Sequence, residues 1–109
     1  MKKTSAFLLA LTFVVTFSTG VLGADQGKAV YDSKCLICHG PKGDGTGPGA
    51  VLCKTKPINF NDPKFWQGNV EEKIIHAITV GKGEMVKIDL KPEEIKAAVA
   101  YITQMCKPK

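Results

Sequence analysis

The chain has 109 residues, 44% of them hydrophobic, and 15 basic against 10 acidic side chains give it a formal charge of +5. Every basic residue is a lysine, which removes bidentate arginine readout of phosphates or bases, and so small a positive balance is weak for nucleic acid. This length excludes a second sizeable domain, a multi-pass membrane protein and a large enzyme with a deep cleft, and the apolar content argues against disorder.

The first stretch reads as a leader. Lys2 and Lys3 precede Ala6–Phe17, in which only Thr12 and Thr16 are not apolar. Val21-Leu22-Gly23 then supplies small or medium residues at the usual cleavage offsets. This is the layout of a secretory signal peptide over residues 1–23, with cleavage after Gly23 or Ala24. The apolar run is shorter than the roughly 20 residues of a spanning helix, so an uncleaved anchor is the secondary reading. Residues 24–109 make one small domain in which thirteen lysines face ten acids, a charge of +3. A domain of that size is marginal on its own core, and a cofactor or cross-link is expected to complete it.

Three helices are predicted. The first runs from Gln26 to Cys38 with Asp25 as N-cap, and Tyr31, Cys35 and Cys38, four and three positions apart, share one face. Gly40–Gly49 is dense in glycine and proline and reads as an irregular loop. The second helix runs from Val70 to Val80. Asn69 caps it, Glu71 and Glu72 oppose its dipole, and Val70, Ile74, Ala77 and Ile78 form its buried face before a stop at Gly81. The third starts at Pro92, with Glu93 and Glu94 next, and carries the apolar stripe Ile95, Ala98, Val99, Ile102 and Cys106. No segment alternates over strand length. The connections 40–69 and 82–91 are too long for simple turns in so small a chain, so they are expected to wrap around something.

Cys35-Leu36-Ile37-Cys38-His39 supplies that object. C-x-x-C-H is the attachment signature of a c-type haem. Two thiols three positions apart on a helix can each add to a vinyl group on one porphyrin edge, and the adjoining imidazole then reaches the iron. A thioredoxin-like pair would need an alternating strand and helix pattern, which is missing. A zinc site would need a second close cysteine pair, which Cys53 and Cys106 do not form. A structural disulfide between Cys35 and Cys38 is rare at this spacing. The sixth iron position has three readings. Met85, in the glycine-rich Gly81-Lys82-Gly83-Glu84-Met85, is the leading ligand candidate, since glycines admit a flat cofactor close to the backbone. His76 is its rival, set on the flank of the face defined by Ile74 and Ile78, and an open position is the third reading.

The chain from Asp25 to Lys109 resembles the class I c-type cytochromes of the small bacterial monohaem kind. The resemblance rests on Cys35-x-x-Cys38-His39, Gly40-x-x-Gly43-Asp44-Gly45-x-Gly47-Pro48 and Lys56-Pro57-x-x-Phe60-x-Asp62-Pro63. It continues through Ile78-x-x-Gly81-x-Gly83-x-Met85 and Pro92-Glu93-Glu94-Ile95-x-x-x-Val99-x-Tyr101-Ile102. It implies an all-α cytochrome c fold whose first and last helices cross near the haem, with Gly27 or Tyr31 meeting Tyr101. It implies thioethers at Cys35 and Cys38, axial ligation by His39 and Met85, and a Trp66 indole near a haem propionate. Two departures stand out: Val86 comes after the methionine where relatives often have proline, and Lys91 stands where a Ser or Thr cap is common.

Cys53 and Cys106 remain once haem has used two thiols. In an oxidising compartment an even pair suggests a bridge, and in the resembled fold the loop carrying Cys53 packs near the last helix; two small buried thiols are the equal alternative. Lys34, Lys42, Lys82 and Lys87 flank the two motifs, with Asp44, Glu84 and Asp89 interleaved among them. The expectation is therefore a monomeric periplasmic carrier of single electrons with one haem c. It would serve redox partner proteins, in a respiratory chain or on a membrane complex, and have no catalytic residues of its own. The alternative is a peroxidase-like or gas-binding haem protein with an open sixth site.

Overall fold

The structure, a computed structural model, describes residues 21–109 together with Thr12 and Val14. The expected leader therefore lies outside the described residues, apart from those two and Val21–Gly23. Among the described residues four helices run in order: α1 (Val21–Lys34), α2 (Leu36–His39), α3 (Val70–Thr79) and α4 (Pro92–Cys106). Short 3₁₀ turns at Ala50–Leu52 and Pro63–Trp66 punctuate the long loop between α2 and α3. No β-strand occurs among the described residues, and the fold is all-α.

The first predicted helix differs at both ends. It begins at Val21, so Asp25 lies inside α1, where neighbouring N–H groups already have helical carbonyl partners and need no cap. It also breaks at Cys35 (φ −116°, ψ −36°). The Cys35 N–H still bonds the Tyr31 carbonyl at 2.8 Å, but Cys38 and His39 N–H then both turn to the Cys35 carbonyl, at 3.2 and 3.0 Å. The haem-type motif thus occupies a tight turn of its own.

α1 crosses α4 at closest approach through Gly27, where a Cβ would run into the Ala97 carbonyl oxygen and lie 2.9 Å from Tyr101 Cβ. One turn on, the Tyr31 and Tyr101 rings meet at 5.4 Å, tilted by 52°. Both residues named for this crossing therefore meet α4. Tyr31 is fully buried, and its hydroxyl donates to the Gly40 carbonyl at 2.6 Å, which ties α1 to the chain just past the motif. The core joins Tyr31, Cys35 and Phe60 to Val70, Ile74 and Ile78 of α3 and Val99, Ile102 and Cys106 of α4.

α3 begins as expected, with Asn69 Oδ1 accepting from the Glu72 N–H, and ends one residue early, at Thr79. α4 has half a capping box. Lys91 has no side-chain acceptor to offer, but Glu94 Oε1 takes the Lys91 N–H at 3.0 Å. Ala97 is buried beside the predicted stripe because it faces Gly27, while Ile95 is only half-buried. The long loop folds back along α2 by donating Gly45 N–H to His39, Gly47 to Cys38 and Gly49 to Ile37, at 2.8, 3.1 and 2.7 Å.

Candidate haem site

Cys35 is buried, and Cys38 and His39 are half-buried on α2. His39 Nδ1 lies 3.1 Å from the Ile58 carbonyl oxygen. A carbonyl only accepts, so Nδ1 carries the proton and donates, which leaves the lone pair on Nε2. Phe60 stacks on the imidazole with centroids 4.5 Å apart and planes 21° apart. The Phe60 N–H is in turn anchored on the Gly43 carbonyl at 2.7 Å. Burial lowers the His39 pKa, against a smaller opposing effect of the Ile58 bond, so the ring is held neutral. Burial first, and then Cys38, pushes the Cys35 thiol up to about 11.

Met85 closes a four-residue turn in which Lys82 and Met85 exchange two backbone hydrogen bonds, each 2.9 Å. Gly83 occupies the left-handed region at its tip (φ 58°), where a side chain would be strained. Met85 is half-buried and packs on the core. His76 is exposed and shares an open cavity with Asn69, Glu72, Lys73 and Lys82. The carboxylate of Glu84 accepts from the Lys54 N–H at 2.9 Å and the Thr55 N–H at 2.6 Å, and these bonds hold its pKa below the usual range.

The Trp66 indole N–H donates to the Phe60 carbonyl at 2.7 Å and so braces the loop that carries the His39 stacking partner. Cys53 and Cys106 are both free thiols. Cys53 follows the turn Ala50–Leu52 with its sulfur 3.9 Å from the Gly49 carbonyl, and burial first, then Cys38, pushes its thiol pKa up. Cys106 is buried with its sulfur 3.5 Å from the Lys42 carbonyl. The fold-back of the loop onto α2 gives each cysteine a different neighbour.

Sequence reasoning missed Ile58, Phe60 and Glu84 as site-shaping residues. Ile58 acts through its backbone, which no residue type reports, while Phe60 and Glu84 lay inside recognised motifs without a stated task. Among the described residues, no group of three or more His, Cys, Asp or Glu is placed to hold a bare metal ion, so a zinc site finds no ligand set there. The residues do fit haem: two thiols on one tight turn, an imidazole oriented by its Nδ1 proton, and a half-buried thioether on a glycine-bearing turn.

Helices α1 and α4 crossed over a C-x-x-C-H turn, with long loops folded around it, define a c-type cytochrome. Residues 23–102 match the family model described as cytochrome C oxidase, cbb3-type, subunit III. Cytochrome c6 of Chlorolobion braunii is 37% identical over 78 residues, covering 70% of this chain and 83% of that protein. The solved structure of the KustC0563 c-type cytochrome superposes with a TM-score of 0.60 at 32% identity, over 74% of this chain and 98% of its own. A chain of the Kuenenia stuttgartiensis reducing HAO-like protein complex Kustc0457/Kustc0458 gives 0.65 at 25% identity, over 74% of this chain. This chain spans 41% of that larger one. The chain belongs to the cytochrome c family. Its members bind covalently attached haem c, and a single C-x-x-C-H provides for one.

Proposed function

We propose that this protein is a periplasmic one-electron carrier of a respiratory chain, with Cys35 and Cys38 as thioether attachment points and His39 and Met85 as axial ligands. The observation that carries this reading is the His39 Nδ1–Ile58 bond, which orients the ring and leaves Nε2 for the metal. The haem supplies an iron that cycles between ferric and ferrous states. The chain's own residues do the rest. Ile58 and Phe60 hold the imidazole plane, and the turn at Lys82–Met85 presents the thioether. His39 and Met85 would together ligate the iron and leave no position for a substrate, which fits a carrier better than a catalyst. A thioether ligand favours the reduced state and raises the potential above that of a bis-histidine site. Export is read from the sequence of residues 1–23, and no described helix is long and apolar enough to cross a membrane.

Replacement of Met85 by Ala tests the ligand set. The ferric wild type is expected to show the weak far-red sulfur-to-iron band, and M85A to lose it. The reduced variant should bind carbon monoxide rapidly where the wild type does not. A wild type that lacks the band and binds carbon monoxide as fast as M85A would establish the alternative, an open-site haem protein.

A further inference from the structure

The turn that presents Met85 is rooted in α3 at both ends, through Gly81 N–H to the Ala77 carbonyl and Ile88 N–H to the Ile78 carbonyl. Its own two hydrogen bonds, between Lys82 and Met85, are internal and anchor it to nothing. Gly81 and Gly83 both sit at positive φ, and Val86 leaves the outgoing limb of the turn with rotational freedom that a proline would remove. The apex is tied by a different loop. Glu84 Oε2 and Oε1 take the adjacent N–H groups of Lys54 and Thr55, thirty and twenty-nine residues earlier in the chain. Among the described residues, these are the hydrogen bonds that join loop 82–91 to loop 40–69. The Glu84 carboxylate forms no ion pair among those residues, so its charge is matched by the two backbone donors. Hydrogen bonds to an ionised acceptor are about twice as strong as neutral ones.

We propose that Glu84 is a positioning residue for the axial methionine: its carboxylate pins the Met85 turn to the Cys53–Thr55 segment and so keeps the thioether sulfur on the metal. This rests on Met85 being the sixth ligand. The segment Glu84 grips follows the Ala50–Leu52 turn, whose leading Gly49 N–H is bonded to the Ile37 carbonyl of α2 at 2.7 Å, so that segment is itself tied back to the attachment turn. The fork thereby couples the Met85 turn to the loop that follows the Cys35–His39 motif, through two backbone donors. Its loss frees the turn to swing out, and an external ligand then competes more easily for the vacated position.

The test is an imidazole titration of the ferric, haem-loaded protein, monitored through the sulfur-to-iron band, for wild type, E84A, E84Q, E71A and M85A. In E84A imidazole should displace Met85 at about tenfold lower concentration, the scale of one charge-assisted hydrogen bond. E84Q, whose amide oxygen still accepts one of the two N–H groups, should fall between E84A and wild type. E71A removes the same charge from an exposed helix position and should match wild type. If E84A accumulates poorly with haem, E84Q against E71A decides alone. Wild-type imidazole affinity in E84A, or in E84Q where E84A is lost, with the band present throughout, would overturn the clamp and leave Met85 ligation standing. Equal shifts in E84A and E84Q would assign the effect to lost charge and also overturn the clamp. A wild type with no band and the same imidazole affinity as M85A would overturn the ligand assignment and the clamp together.

Discussion

Tyr31 shows how one side chain joins the helix crossing to the site. Its ring fills the contact with Tyr101, and its hydroxyl satisfies the Gly40 carbonyl immediately after the motif histidine. Burial is the main cause that drives its pKa upward from the usual value of 10.0, so the phenol stays neutral in the fold. An acid with a raised folded pKa contributes its full stability below the unfolded pKa. It loses that contribution as pH rises above about 10, at up to roughly 1.4 kcal/mol per pH unit. Tyr31→Phe removes the hydrogen bond and strands the Gly40 carbonyl, at a cost of about 1–2 kcal/mol near neutrality. Urea denaturation across pH should show the variant less stable at pH 8 and the gap narrowing above pH 10. A gap that stays constant into alkali would mean the Tyr31 phenol ionises freely in the folded state. His39 makes the complementary point. Its place in the motif was legible in the sequence, but the carbonyl that orients it was not, because Ile58 contributes a backbone oxygen that any residue carries.

Helices were the most legible elements, for reasons that differ along the chain. α3 and α4 obey their apolar spacing, and Asn69 caps α3 because the first-turn donors are local and its side chain is the right length. α1 departed from expectation because helix ends depend on what lies upstream and on tertiary demands. Asp25 is overridden by helical residues before it, and Cys35 by the turn that sets Cys38 and His39. The α1–α4 crossing depends on Gly27 having no side chain. Gly27→Ala gains about 1 kcal/mol of helix propensity but forces a methyl group into the backbone oxygen of Ala97, which cannot rotate away. Overpacking of this kind costs about 1–3 kcal/mol, so the clash outweighs the propensity. G27A should therefore lower the urea midpoint of the haem-loaded protein. An unchanged or higher midpoint would show that α4 shifts freely and that the crossing is not close-packed there.

At the scale of the whole molecule, the sequence displayed the haem motif and the need for something to wrap, but not how the loops wrap. Residues 40–69 carry no periodicity. Their course is set by backbone bonds to α2, by Phe60 stacking on His39 and by Glu84 reaching Lys54 and Thr55, all between residues distant in sequence. That course also bears on Cys53 and Cys106, for which the sequence left a bridge and two separate thiols both open: the Cys53 sulfur lies by the Gly49 carbonyl and the Cys106 sulfur by that of Lys42, and both are free thiols. In the proposed site Cys35 and Cys38 would hold haem, leaving Cys53 and Cys106 as thiols. The most direct test is the intact mass of the purified protein, alkylated after denaturation without reductant. The account predicts the polypeptide plus one haem, with the haem on the peptide containing Cys35 and Cys38 and one alkyl group on each of Cys53 and Cys106. A mass equal to that of the amino acids and alkyl groups alone, or haem carried on any other peptide, would contradict it.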